Sequence, residues 1–187
     1  AFRLQENGFE VVFVTPSGKY ASQFETLGLK WISWKLDRKT ISLWKEIQSF
    51  FHILQIYRSQ RPDIVHHHTI KSVLYGSLAA QLVGVPCIVN SITGLGYVFL
   101  ESDLQAAFLK KIITPFYKWA HRFQNSVAVF ENQPDRDYFL QAGFVPEERS
   151  ILIESIGADP VQFYPVPEPA QDPFVALMAG RLLWDKG

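Results

Sequence analysis

Short β-branched or apolar runs alternate along this chain with longer stretches of helical periodicity. That alternation is how βαβ units building a parallel sheet are written in sequence. Six runs read as strands: Glu10 to Thr15, Lys30 to Trp34, Asp63 to His67, Pro86 to Asn90, Ser126 to Phe130 and Ile151 to Glu154. Most lack polar alternation, as strands covered on both faces do. Between them the spacing predicts helices over about 19–27, 41–60, 71–82, 104–123 and 133–141. Gly28, Gly84 and Gly143 each close a helical segment ahead of a strand, and Arg61 with Pro62 does the same. The expected class is α/β, a parallel sheet with helices on both faces. The opening AFRLQENG reads as the last turns of a helix closed by Gly8, so a further strand and loop are expected ahead of it.

The 187 residues suffice for one α/β domain with a core and a remnant of a second. The expected division is 1–160 for the domain, 161–173 for a linker and 174–187 for the start of a second domain. The linker is marked by QFYPVPEPAQDP, whose four prolines suit neither a helix nor a central strand. After it, Phe174 to Met178 reads as a new buried strand followed by AGRLLWDKG. Lys plus Arg equals Asp plus Glu at 18 each, so no global field draws the chain to nucleic acid. The single cysteine, Cys87, sits in an apolar run, reads as a small buried hydrophobe and fits a reducing compartment. No stretch reaches the roughly 18 to 20 apolar residues of a spanning helix, and a soluble or membrane-peripheral domain is expected.

Ligands of an open parallel sheet bind outside the carboxyl ends of the strands, so the residues just beyond each strand carry the candidate chemistry. The first such place is HHHTIKS, 66–72. Alternation puts His66 and His68 on one side of the strand and His67 on the other, so the three histidines do not converge on one metal, and none is expected. His67 suits a structural role within the sheet. His68, Thr69 and Lys71 lie where the strand opens to the crevice and a helix amino terminus offers free N–H groups, which suits a phosphate or sugar oxygen. The second place is SITGLGYVF, 91–99, where Gly94 and Gly96 allow close backbone approach to a ligand. The third is FENQPDRDYF, 130–139. There Asn132 reads as a helix cap, with Asp135 and Asp137 in the first turn where the macrodipole favours negative charge. Further on, Arg181 and Lys186 in GRLLWDKG could reach a diphosphate, Arg as a fork and Lys as a point charge.

Read together and in order, several segments resemble glycosyltransferase family 4, the retaining GT-B enzymes that use nucleotide sugars. VHHHTIKSVLYGSLAAQLVGVP, SIGADPVQFYP and VALMAGRLLWDKG are similar to the family's helix-strand, linker and nucleotide-domain segments. SITGLGYVF and VFENQPDRDYF look most like a bacterial subgroup that adds hexoses or N-acetylhexosamines to lipid-linked polysaccharide or glycan precursors, such as those of lipopolysaccharide and capsule. The resemblance implies a Rossmann-like amino-terminal, acceptor-side domain, with reaction in the cleft between it and a carboxyl-terminal donor domain. It implies a nucleotide sugar as donor substrate, no other cofactor, no metal, and a cytoplasmic place at or near the inner face of the plasma membrane. Carried over, Arg181 and Lys186 would neutralise the donor diphosphate as the sugar leaves. Gly94 and Gly96 would shape the cleft wall, with His68, Thr69, Lys71, Thr93 and Asn132 on the acceptor side. Many members have a histidine where Thr93 stands, so no histidine role transfers there and the catalytic residue is left unassigned. By itself the fragment is expected to be inactive.

The stretch 106–123 mixes Lys110, Lys111, Lys118, His121 and Arg122 with Phe108, Ile112, Ile113, Phe116, Tyr117 and Trp119. It reads either as a membrane-resting surface or as a core-packed helix whose lysines form its wet face, and the second is the ordinary case. Pro115 is expected to kink it. Two further functional readings share the two-domain plan: another GT-B enzyme such as a nucleotide-sugar epimerase, and a Rossmann-like binding module without chemistry.

Overall fold

In the computed structural model, residues 1–18, 21–37, 42–94, 104–154 and 159–167 are described. The chain divides into a compact unit, 1–155, and a second unit, 156–187. In the first unit the elements run α1 (Phe2–Glu6), β1 (Val12–Thr15), α2 (Ala21–Thr26), β2 (Lys30–Ser33), α3 (Leu43–Gln60), β3 (Ile64–His68) and α4 (Ile70–Val83). They continue through β4 (Cys87–Ile92), α5 (Leu104–Ala120), β5 (Ser126–Phe130), α6 (Gln133–Gln141), a 3-10 turn (Glu147–Arg149) and β6 (Ser150–Leu152). In the second unit, residues 160–162 form a turn in which the Asp159 carboxylate accepts the Val161 N–H at 2.8 Å.

Within the described residues every predicted strand and helix forms, with ends shifted by a few residues, while the strand read at Phe174 to Met178 lies outside them. β3 extends to His68 because that residue still pairs with Ser91, and β4 starts at Cys87 because Pro86 has no N–H to give. All strand pairs are parallel, as expected. The described strands, however, form two sheets, β1-β2 and β3-β4-β5-β6, in place of one.

Side-chain alternation assigns the layers. Phe13 and Trp31 meet Phe24 of α2, with the Phe24 and Trp31 rings stacked at 6.4 Å. Val14 and Ile32 turn the other way, into a core with Ile53 and Leu54 of α3, Val65 of β3 and Ala79 and Ala80 of α4. A second core joins Val73 of α4, Ile92 of β4, Tyr117 of α5, Ala128 and Phe130 of β5 and Phe139 of α6. So α2 covers one face and α3 and α4 the other, in accord with a sheet wrapped by helices on both sides.

α5 runs through Pro115 without interruption. Its Tyr117 and Ala120 are buried, as the core-packed reading requires, but Phe108, Ile112 and Phe116 are exposed at 65%, 44% and 49%. The wet face is therefore apolar as well as basic, because the residues at i, i+4 and i+8 fall outside the seam that Ile113, Tyr117 and Ala120 make with the core.

Between the two cores lies a buried polar chain. Tyr57 OH is 2.8 Å from His67 Nε2, and His67 Nδ1 is 2.7 Å from Asn90 Oδ1. Ser77 also donates to Asn90 Oδ1, while Asn90 Nδ2 reaches His121 Nε2 at 3.2 Å and Ser126 Oγ at 3.4 Å. His121 Nδ1 meets the Tyr117 carbonyl at 3.0 Å. Carbonyl oxygens only accept, so His67 and His121 each carry their proton on Nδ1 and accept at Nε2. Both rings are neutral. Burial pushes each down to about 4, with Arg149 adding to the effect at His121. Gly76 passes so close to His67 that a Cβ there would lie 2.4 Å from Nε2, so only glycine leaves the imidazole room.

Because the folded pKa of both histidines is depressed, the unfolded chain binds more protons between pH 6.5 and about 4. Stability is whole above that window and falls as pH drops through it, by roughly 3 kcal/mol per histidine at the acid end. Urea unfolding from pH 8 to pH 4.5 is expected to show a constant midpoint down to about pH 6.5 and a steep fall beneath it. A midpoint that holds steady to pH 4.5 would rule out the neutral, buried histidines.

Candidate functional site

The parallel strands of the larger sheet bring their carboxyl ends to one edge, and β3, β4 and β5 are neighbours there. His68 ends β3 and Thr69 follows it, Thr93 and Gly94 follow β4, and Asn132 lies just beyond β5. The structure thus gathers five of the predicted residues along one rim. Gly96, Arg181 and Lys186 lie outside the described residues.

At the β3 end, burial alternates along the strand and separates the histidines as predicted: His67 is buried, while His66 and His68 share the other face. The His66 and His68 rings are 4.2 Å apart, and His66 Nε2 is 2.7 Å from Ser91 Oγ. Burial, with a smaller contribution from His68, holds His66 below the usual histidine range. This pair forms an imidazole surface at the rim. It offers donor and acceptor nitrogens of the kind that suit a hydroxylated ligand.

Thr69 connects that surface to α4. Its φ of 75° is unusual for a threonine, and strained residues cluster where a turn is fixed by its surroundings. Its side chain makes no cap to α4. The β3–α4 turn therefore presents helix N–H groups without a side-chain cap of its own. Gly94, at φ 138°, takes a conformation open only to glycine, which accords with a backbone-lined wall at the end of β4.

Lys71 behaves differently from an open phosphate ligand. Its ammonium lies 2.6 Å from Glu46 Oε1 and donates to the Asp37 carbonyl at 2.8 Å. Tyr75 donates to the other Glu46 oxygen at 2.7 Å, and burial followed by this carboxylate pushes the Tyr75 phenol well above its ordinary range. Glu46 thus ties the first turn of α3 to the first two turns of α4. Nothing in the sequence spacing announces this clamp, since Glu46 and Lys71 are 25 residues apart. Asn132 is also committed to structure: its Oδ1 accepts the Asp135 N–H at 2.9 Å, as the cap reading expects.

The opposite, amino-terminal end of the strands carries a shallow depression of about 560 Å³ lined by Lys118, Arg122, Arg149 and Glu147 among others. It lies at the wrong end of a parallel sheet for a substrate. Among the described residues no group of histidine, cysteine and carboxylate side chains is placed to hold a metal ion.

With this geometry in place, similarity to known proteins has a site to refer to. The sequence pattern of the glycosyl transferase 4-like family matches residues 1–132. The chain belongs to that family. An 85-residue stretch, 46% of this chain, is 33% identical to the UDP-Gal:alpha-D-GlcNAc-diphosphoundecaprenol alpha-1,3-galactosyltransferase of Escherichia coli. Among solved structures, Acinetobacter baumannii MurG superposes with a TM-score of 0.50 at 15% identity over 87% of this chain. The UDP-N-acetylglucosamine 2-epimerase of Rickettsia bellii gives 0.50 at 17% identity over 77%. These two likenesses establish the α/β fold that MurG and the epimerase share. The matched stretch spans 20% of the galactosyltransferase, and the chain spans 41% of MurG and 37% of the epimerase.

The Lys71 clamp is open to direct measurement. A double-mutant cycle with Lys71→Met and Glu46→Gln is expected to give a coupling of about 1 to 2 kcal/mol in urea unfolding. Zero coupling would mean that the ammonium is not held by Glu46 and remains available to the rim.

Proposed function

We propose that this chain is the acceptor-side half of a retaining GT-B glycosyltransferase that moves a hexose or N-acetylhexosamine from a nucleotide sugar to a lipid-linked glycan. The observation that carries this reading is the family match across 1–132, which includes the strand ends bearing His68, Thr69, Thr93 and Gly94. The name of the Escherichia coli relative supplies the chemical class: a UDP-sugar donor and a sugar on diphosphoundecaprenol as acceptor.

In this reading the rim supplies shape and hydrogen bonds. The imidazoles of His66 and His68 and the N–H groups opening α4 would meet acceptor hydroxyls or phosphate. Arg181 and Lys186 would sit on the donor side, where they neutralise the diphosphate as the sugar–oxygen bond breaks. The nucleotide leaves as an anion, and the acceptor hydroxyl loses its proton as the new bond forms. No cofactor beyond the donor is required.

The helices offer a place for the lipid. Phe108, Ile112 and Phe116 of α5 are exposed beside Lys111 and Lys118, and Leu43, Trp44, Ile47 and Phe51 of α3 form a second exposed apolar stripe. Such aromatic and basic faces suit an anionic bilayer carrying a polyprenyl acceptor, and in this reading the protein works in the cytoplasm at the inner membrane face. Lys110 leans over the Tyr138 ring at 5.2 Å, so Lys111 and Lys118 are the more exposed cations.

Two measurements test this. A polypeptide carrying both halves is expected to transfer radiolabelled sugar from a UDP-sugar panel to GlcNAc-diphosphoundecaprenol, and Lys186→Ala to remove most of that transfer without unfolding. Acceptor-independent epimerisation of the UDP-sugar, with no transfer, would instead support the epimerase reading. Separately, Lys111→Glu with Phe108→Ser and Phe116→Ser is expected to cut sedimentation with phosphatidylglycerol vesicles at least fivefold; unchanged sedimentation would remove α5 from the membrane surface.

A further inference from the structure

The depression at the amino-terminal end of the larger sheet has no part in the proposed transfer, yet cations gather in it. Lys118 and Arg122 enter it from the end of α5, and Arg149 enters it from the turn ahead of β6. Lys118 and Arg122 are exposed and Arg149 is half-buried. Among the described residues none of these cations forms an ion pair. The carboxylate in the lining, Glu147, lies 3.7 Å from Arg136, which is not part of the depression. Like charges brought to one hollow repel each other, so the next question is how much of the charge the fold itself offsets.

Part of it is offset. α5 and α6 both end beside the hollow, at Ala120 and Gln141, and their last carbonyls carry the negative ends of the helix dipoles. One Arg149 nitrogen donates to the Phe123 carbonyl, and the Arg122 guanidinium lies 5.7 Å from the centre of the Phe123 ring. Two helix ends supply roughly one negative charge between them, so a surplus of about one to two positive charges remains, depending on how far Glu147 is engaged by Arg136. The charge of Arg149 also reaches His121, which is buried and lines the hollow: burial lowers the pKa of that ring, and Arg149 adds to the effect.

The donors left over define the ligand. A guanidinium carries five N–H groups in a planar fork, and an ammonium carries three. Two forks and a point charge around one hollow match a group that spreads charge over several oxygens, as phosphate does. The hollow, at about 560 Å³, falls in the size range of small-molecule sites. α5 also shows how a phosphate could arrive on a carrier. A turn of about 100° per residue sets Lys111, Lys118 and Arg122 on one strip of the helix, alongside the exposed strip of Phe108, Ile112 and Phe116. The basic strip leads into the hollow, and the apolar strip beside it suits the chains of a lipid. We propose that Lys118, Arg122 and Arg149 form a second binding site of this domain, at the opposite end of the strands from the rim, and that its ligand is a phosphate group, free in solution or borne by a lipid.

Amide resonances of the ¹⁵N-labelled chain test the site with neither sugar donor nor acceptor present, so the outcome is independent of the transfer reaction. Two probes are titrated, each against sodium chloride of equal ionic strength: inorganic phosphate, and dihexanoyl phosphatidylglycerol below the concentration at which it aggregates. Saturable shifts are expected at Gly143, Val145 and Arg149. Lys118→Gln combined with Arg122→Gln alters two exposed side chains, and it is expected to weaken binding about tenfold while the rest of the spectrum stays in place. Arg149→Lys keeps the charge but loses the fork, and is expected to weaken binding about threefold. Should that change disturb the packing around Phe123, the exposed pair decides. Any shift at Thr69 and Ile70, where α4 opens, belongs to the rim and is expected to be the same in the double variant. Tighter binding of phosphatidylglycerol than of phosphate, with added shifts at Ile112 and Phe116, assigns the phosphate to a lipid; equal affinities assign it to a free anion. No saturable shift with either probe, or undiminished affinity in the double variant, would overturn the site.

Discussion

Asn90 has four hydrogen-bonding positions, and the fold fills all of them. Its carbonyl accepts from His67 and Ser77, and its amide nitrogen donates to His121 and Ser126. Through these partners one side chain on β4 joins β3, α4, β5 and the end of α5, and through Tyr57 it reaches α3. A network this buried is rigid because each member fixes the next: a tautomer change at His67 would leave either Asn90 or Tyr57 facing a mismatched atom. The register of β3 on β4 is held by that pairing, and the register is what brings His68 level with Ser91 and the rim loops to a common edge. Gly76 is the steric half of the same constraint, since α4 can approach β3 closely enough for Ser77 to reach Asn90 only if the neighbouring position has no side chain.

Much of this layout is legible in the sequence. The runs around Val65, Ile88 and Val127 are apolar on consecutive positions, which marks strands of a helix-covered parallel sheet, and the positive-φ closure at Gly84 was announced by a glycine standing between a helical pattern and the next run. His67 was separable from its neighbours by alternation alone. The partners of His67 were not, because Tyr57, Asn90 and His121 lie on three other elements and meet only after the sheet and helices have packed. The Glu46 clamp was hidden for the same reason. On α5 the mixture of lysines and aromatics left two readings open, and the structure divides the helix between them: Tyr117 and Ala120 go to the core, Phe108, Ile112 and Phe116 to the surface. Periodicity shows that a face is apolar; it does not show how many apolar faces the neighbours will cover.

The lysine nearest the rim is already compensated within the fold, and this bears on the division of labour in the proposed reaction. Lys71 is compensated by Glu46, Asp135 is engaged with the Asn132 cap, and burial disfavours the charged form of His66. A surface of this kind is suited to orienting hydroxyl groups, whose hydrogen bonds it can match without first stripping water from a fixed charge. Stabilising a departing diphosphate is a different task, one for cations whose charge is not already spent within their own domain. The proposed assignment of acceptor binding to this half accords with such a surface, while that of the donor's phosphates to Arg181 and Lys186 rests on the family resemblance alone. A rim with a free lysine cluster would have argued the reverse.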